Sequence, residues 1–553
     1  MTNYMNARKP LRLYEDIYDS MYFVDKSGFL KDLLLMVASR KELRELGMKR
    51  PNRYICVTRP RRFGKSVNAW MIASYFMKGV DTHELFDDLS IASHPLYESH
   101  INKHNVIFMD LSDGAATVNT YDEYIANITR NILSSLESLK EGVLANKSIP
   151  VSENIEMFSG LLETGFIFII DEWDYPLSMP YMKDSEKERY VKFLSEILKG
   201  KSYVEMCYMT GIMPINTYDI GTPLNMFEEY VMGEDDMYAC YFGFDENEVD
   251  MLYHIYQGVW KDRQAIDRKQ LTEWYDGYYL DGKKQIYNPK AIVSALTRNK
   301  LTGYWYRSSR YDELYSFIEH DIDGSKDAVA LLLSGEGYPT KIYQYAAAST
   351  KMTTIDQIFS AMVVYGFLTY NAIERKVYIP NLELMGKFKE MLANNHSLGY
   401  LHTLYISSED VLKATKMLDP KPVEHAVKLA HDKEISLFKH NDEDAYASII
   451  NLVYIAARDT YEVTREAKGG TGYADLLFKP KRKDDDIIVI ELKVDDTPQN
   501  AIDQIKSREY YKALLPSFGE KKEYTGRIIL VGIAYGKNDS SKNHQVSFEV
   551  VNA

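Results

Sequence analysis

A rhythm in the first 230 residues constrains this chain most. Four apolar runs of strand length, at 53–58, 105–111, 165–171 and 203–210, are separated by stretches with helical polar–apolar patterning. Strands that alternate with helices pack as a parallel sheet with helices on both faces. A run such as Phe166-Ile167-Phe168-Ile169-Ile170 suits a strand buried on both sides. Residues 1–235 are therefore read as an α/β unit around a parallel sheet. Residues 236–421 read as mostly helical, with apolar residues at helical spacing over 246–256 and 291–297. A helix over 355–365 then feeds a short hairpin, 366–370 and 376–379. That is how a winged-helix unit ends, and also a common structural arrangement. Residues 422–553 form a third, α/β block. Its helix-rich start ends near residue 460, strands follow at 474–478, 487–492 and 527–533, and a helix over 499–515 lies between the last two. A chain of 553 residues is long enough for three or four domains at about 150 residues each.

Charge and cysteine content narrow the classes of function. The chain has 66 cationic and 80 anionic side chains, a net charge of −14. That argues against a broad basic footprint for nucleic acid. A local one remains open, because salt confines electrostatic fields to about 8–10 Å. No apolar stretch approaches the ~20 residues of a membrane span, and the N-terminus lacks the apolar core of a signal peptide. A cytoplasmic protein with no membrane partner is expected. Cys56, Cys207 and Cys240 are too few for a disulfide framework and too scattered for a zinc site. Gly469, Gly470 and Gly472 precede a strand rather than a helix, so they form no dinucleotide fingerprint.

Two stretches of the first block carry chemistry. The strand ending at Thr58 runs into Arg59-Pro60-Arg61-Arg62-Phe63-Gly64-Lys65-Ser66 and then a helix. Gly64, Lys65 and Ser66 fit the end of a phosphate-binding Walker A loop, with Arg59 where its first glycine stands. Backbone N–H groups at such a helix start hold phosphate oxygens, Lys65 reaches the terminal phosphates, and Ser66 ligates Mg²⁺. Arg59, Arg61 and Arg62 add positive charge. A basic surface turn capped by Ser66 reads the same way. Downstream, the apolar run ends in Asp171-Glu172. A strand carries Asp171 to the carboxyl edge of the sheet, where it can hold Mg²⁺, and Glu172 activates the attacking water. Thr210, at another strand end, is a candidate sensor of the γ-phosphate; Thr210-Gly211 is also an ordinary turn.

The segments RPRRFGKS, IIDEWDYP and MTGIMPI, in that order, resemble the AAA-ATPase-like family of P-loop proteins found mainly in bacteria. Tyr22-Phe23-Val24-Asp25-Lys26, Tyr287-Asn288-Pro289 and Tyr304-Trp305 support the likeness, which covers roughly residues 10 to 310. It implies ATP and Mg²⁺ as cofactors, and in that family the Arg-Pro-Arg-Arg form of the loop is normal. Trp173 stands where the family more often carries Tyr.

The third block holds Ile490-Glu491-Leu492-Lys493, in which Glu491 and Lys493 share one face of a strand. Burying a carboxylate and an amine at a strand end is costly unless they share a partner or a task. Asp475, in the preceding strand, can pair beside Glu491. Two close carboxylates ligate Mg²⁺, and Lys493 can position water or neutralise developing charge. A salt-bridged strand explains the motif equally well. Gly472-Tyr473-Ala474-Asp475, Glu491-Leu492-Lys493, Ala501, Gln504 and Tyr510 together resemble the PD-(D/E)XK nuclease superfamily, over about residues 422 to 535. The resemblance implies that Glu443 completes the metal site. Tyr473 stands where that family more often has Arg.

The expected protein is an ATP-binding P-loop NTPase joined through a helical middle to a metal-dependent nuclease. Nucleic acid, DNA in the first place, is the expected partner, together with further copies of the chain. The alternative is an ATP-switched nucleic-acid-binding or scaffold protein with an inactive nuclease fold.

Overall fold

A computed structural model describes residues 4–215, 223–232, 237–261, 264–280, 284–305, 318, 325–342, 352–432, 450–469, 472–513, 524–536 and 544–551. The first block is built on five parallel strands: β1 (Tyr54–Thr58), β2 (Val106–Asp110), β3 (Phe166–Asp171), β4 (Val204–Gly211) and β5 (Glu228–Val231). Their order across the sheet is β2-β3-β4-β1-β5. The strands alternate between two cores. Tyr54, Cys56, Phe166, Phe168 and Ile170 enter one, and Ile55, Val57, Ile167 and Ile169 the other. Helices cover both faces, as the near-continuous apolar runs require. The expected strands stand within a residue of their sequence bounds. The edge strand β5 is an addition; its Glu-Glu-Tyr-Val sequence is only partly buried and gives little apolar signal.

The middle region is mainly helical. The Glu246–Val259 helix starts at an Asp245–Glu248 capping box, and Asn288 caps the Pro289–Arg298 helix. A two-stranded ribbon, β6 (Tyr278–Leu280) with β7 (Lys284–Ile286), lies between them in sequence. Beyond the Ser325–Leu333 helix come β8 (Tyr338–Pro339), the Ile355–Tyr365 helix, β9 (Thr369–Asn371) and β10 (Lys376–Tyr378). These strands form an antiparallel sheet in the order β8-β10-β9. The expected helix and hairpin are present, and β8 adds a third strand. Gly366 ends the helix in the left-handed conformation at φ 83°.

The last block is a mixed sheet in sequential order: β11 (Tyr461–Gly469), β12 (Gly472–Pro480), β13 (Ile487–Val494), β14 (Ile528–Tyr535) and β15 (His544–Val551). All pairs are antiparallel except β13 with β14, which the Pro498–Arg508 helix connects. That helix is shorter than its expected 499–515 span, because Glu509 turns left-handed (φ 52°) and a 3-10 turn, Tyr510–Ala513, follows. Gly532 on β14 lies under the helix start; a Cβ there would stand 1.9 Å from the Pro498 carbonyl oxygen. The core of this sheet is continuous with that of the middle region, from Trp305, Phe359 and Met362 to Phe478, Ile488 and Ile490. Among the described residues no helix is long and apolar enough to cross a membrane.

Candidate active sites

Four parallel strands deliver their carboxyl ends to one edge of the first sheet, the edge at which open α/β sheets bind ligands. From β1 the chain turns through Arg59–Ser66, with Arg62 (φ 72°) and Gly64 (φ 88°) left-handed, and the helix begins at Lys65. No side chain caps that helix start, so its first turn presents amides to an anion. Lys65 is 4% exposed and its Nζ donates to the Pro60 carbonyl at 3.2 Å. Asp171 ends β3 at 2% exposure, with Ser66 and Lys65 near enough to offset part of the cost of burying its charge. Burial, reinforced by the charge of Glu172, pushes the Asp171 carboxyl up to about 7. Glu172 follows in a left-handed conformation, φ 53°, its N–H on Asp171 Oδ1 at 3.0 Å. The loop lysine, the serine and the strand-end acid are thus brought together.

Arg59 and Thr210 are placed differently. The Arg59 guanidinium is 1% exposed, donates to the carbonyls of Thr58 (2.7 Å) and Tyr230 (2.9 Å), and lies 5.0 Å from the Phe242 ring centre. It ties β1 to β5 and offers no surface to a ligand. The Thr210 hydroxyl is buried and donates to the Val57 carbonyl at 2.7 Å. Arg62 is exposed. Arg61 contributes through its backbone, its carbonyl accepting the Trp305 indole N–H at 2.9 Å and an Asn288 amide N–H at 3.4 Å.

Two acids that sequence reasoning passed over complete this edge. Asp110 stands opposite Asp171 in the β2–β3 register, its carboxyl pushed up by burial; its place at a strand end was the available signal. Asp174 accepts the N–H groups of Ile212 (3.2 Å) and Met213 (2.9 Å) and so fixes the chain leaving β4. Gly211 leaves room for it, since a Cβ there would stand 2.3 Å from Asp174 Oδ1.

The second site lies on β12 and β13. Their register pairs Leu476 with Ile490 and so sets Asp475 beside Glu491. Asp475 Oδ2 accepts the Leu492 N–H at 2.7 Å. Lys493 Nζ stands 3.5 Å from Glu491 Oε1, on the same strand face as expected. Gln504, from the crossover helix, donates its amide to the same oxygen and also meets the Tyr510 hydroxyl at 3.3 Å. Glu491 is 3% exposed, and its Oε2 is buried with no hydrogen-bond partner among the described residues. Burial first, then the charge of Asp475, pushes its carboxyl up to about 7, while Lys493 pulls it back. A buried, unpartnered carboxylate oxygen beside a second carboxylate fits a divalent cation, since a lone buried charge is otherwise expensive. Glu443 lies outside the described residues.

A P-loop-type sheet and a nuclease-type mixed sheet, each with its acidic edge, define the class of this chain. Residues 13–221 match the family model described as a predicted AAA-ATPase, and residues 441–542 match that of the PD-(D/E)XK nuclease superfamily. The chain carries one domain of each family. No curated protein matches it.

Proposed function

We propose that this protein is a metal-dependent nuclease whose activity is controlled by ATP at its N-terminal domain. The observation that carries the reading is the Asp475, Glu491, Lys493 and Gln504 cluster with its unpartnered Glu491 oxygen. Asp475 and Glu491 would hold a divalent cation, which would supply an activated water and neutralise charge at a phosphodiester. Gln504 fixes the Glu491 carboxylate, and the Leu492 N–H fixes that of Asp475. The Lys493 ammonium stands ready for the charge that develops on the scissile phosphate. DNA is the proposed substrate.

Lys65 and the amides of the helix start would hold the ATP phosphates, Ser66 and Asp171 would hold Mg²⁺, and Glu172 would orient the water. Control is supported by contacts that reach the phosphate loop from the middle region. Trp305 and Asn288 grip the Arg61 carbonyl. Gly366 packs so closely on Pro60 that a Cβ would come within 2.7 Å of it. Ala361 packs on Met213 beyond β4. The Ile355–Tyr365 helix that makes the last two contacts also enters the core shared with the nuclease sheet.

Incubation of plasmid DNA and a matched RNA with Mg²⁺ or Mn²⁺ tests the chemistry. The wild type should cleave, and Glu491→Gln should cut at least about 100-fold more slowly, the scale of losing an electrostatic group at a reacting centre. Equal rates for the two proteins would overturn the assignment.

A further inference from the structure

The segment from Arg40 to Arg53 runs against the charge of the whole chain. It holds six cations and two carboxylates, a net +4 in a protein of net −14. The short Arg40–Glu45 helix starts at a Ser39–Glu42 capping box, which engages Glu42; Glu42 also lies 3.4 Å from His100 Nε2. Glu45 pairs along the helix with Lys41 at 3.9 Å. Both carboxylates are thus committed. Gly47 then turns left-handed (φ 67°) and the Met48 N–H returns to the Leu43 carbonyl at 2.8 Å. The turn folds Lys49 and Arg50 back against the helix. The result is a recess of about 380 Å³ lined by Arg40, Leu43, Arg44, Met48, Lys49 and Arg50. Leu43 is buried and the other five are exposed. Among the described residues no carboxylate pairs with Arg40, Arg44, Lys49 or Arg50. Arg40 and Arg44, one helical turn apart, repel each other, and the fold gathers two further cations beside them.

We infer that this recess is a contact site for the phosphodiester backbone of nucleic acid, separate from the nuclease cluster. The inference rests on the reading of the chain as a nuclease. A protein of net −14 must meet a polyanion at a local basic surface. The nuclease cluster itself presents Lys493 against Asp475 and Glu491, a poor source of affinity for phosphate. Four cations without carboxylate partners lie on one exposed concave surface and supply what that cluster lacks; one of them, Arg50, also donates to the Ala38 carbonyl. Such contacts carry no sequence information and position the strand through counterion release.

The test measures binding of a labelled mixed-sequence duplex to the full chain in EDTA, by fluorescence anisotropy across a salt series. Wild type is compared with the Arg40→Ala/Arg44→Ala/Lys49→Ala variant and with the charge-preserving Arg40→Lys/Arg44→Lys variant. The alanine variant should bind at least about tenfold more weakly at low salt, and its log affinity–log salt slope should fall by about 2 to 3. The lysine variant should keep the wild-type slope, and all three should melt alike. Wild-type affinity and slope in the alanine variant would overturn the site and leave the nuclease reading standing. No binding by the wild type would overturn both. Unchanged binding with an altered sedimentation coefficient would overturn it in favour of contact between copies of this acidic chain.

Discussion

Glu383 carries a carboxyl group into the interior close behind the phosphate loop. It accepts the N–H groups of Tyr304 and Trp305, the latter at 2.6 Å, and so orients the indole that grips Arg61. Burial pushes this carboxyl up to about 7, against the pull of those two donors. The native chain therefore keeps a proton that the unfolded chain sheds above about 4.5. Stability linked to this group is present in full below that pH and is lost as the pH rises towards 7. Glu383→Gln keeps an oxygen acceptor and removes the titration. Its melting temperature should change less than that of the wild type between pH 5 and 8, by roughly 2 °C or more; parallel profiles would contradict this. No sequence pattern marks Glu383, because its partners lie 78 and 79 residues away. Lys65, Ser66, Asp171, Asp475, Glu491 and Lys493 were legible because each sits at a fixed offset from a strand end. Arg59 shows the limit of that reasoning. Its place in the loop suggested phosphate, whereas its guanidinium is spent on two carbonyls beneath the sheet edge.

Among elements, the Ile355–Tyr365 helix joins the two ends of the molecule. Thr354 and Gln357 cap one end of it and Gly366 the other. Its partners leave no mark in the sequence pattern, since Pro60, Met213 and the last sheet's core are all distant in sequence. Gly366→Ala tests the element directly. The residue would be left-handed, at a cost of about 1 kcal/mol, and its methyl would press on Pro60. If ATP binding must work against a strain of that size, affinity falls roughly fivefold. Titration calorimetry with ATP should find that loss, while cleavage without ATP persists. Unchanged affinity would show that the contact does not bear on the loop. Buried central strands announced themselves by apolar runs. The half-buried edge strand β5 and the left-handed break at Glu509 did not, because edge pairing and a single backbone turn leave little trace in hydropathy.

For the whole molecule, the decisive feature is continuity. A core runs unbroken from Trp305, beside the phosphate loop, to Ile488 and Ile490 under the nuclease acids. The pairing of a P-loop-type domain with a PD-(D/E)XK-type domain was legible from its motifs; this shared interior was not, being a property of packing between distant segments. Packed interiors transmit displacement rather than absorb it, so ATP at the first site is expected to alter the second. The most direct measurement is the single-turnover rate of DNA cleavage in Mg²⁺, with and without ATP, for the wild type, Lys65→Ala and Glu491→Gln. The account predicts a wild-type rate that changes at least about fivefold on adding ATP, the low end of ordinary coupling between sites. Lys65→Ala should cleave at a rate that ignores ATP, and Glu491→Gln should cleave at least about 100-fold more slowly than the wild type under either condition. A wild-type rate indifferent to ATP, or cleavage at the wild-type rate by Glu491→Gln, would contradict it.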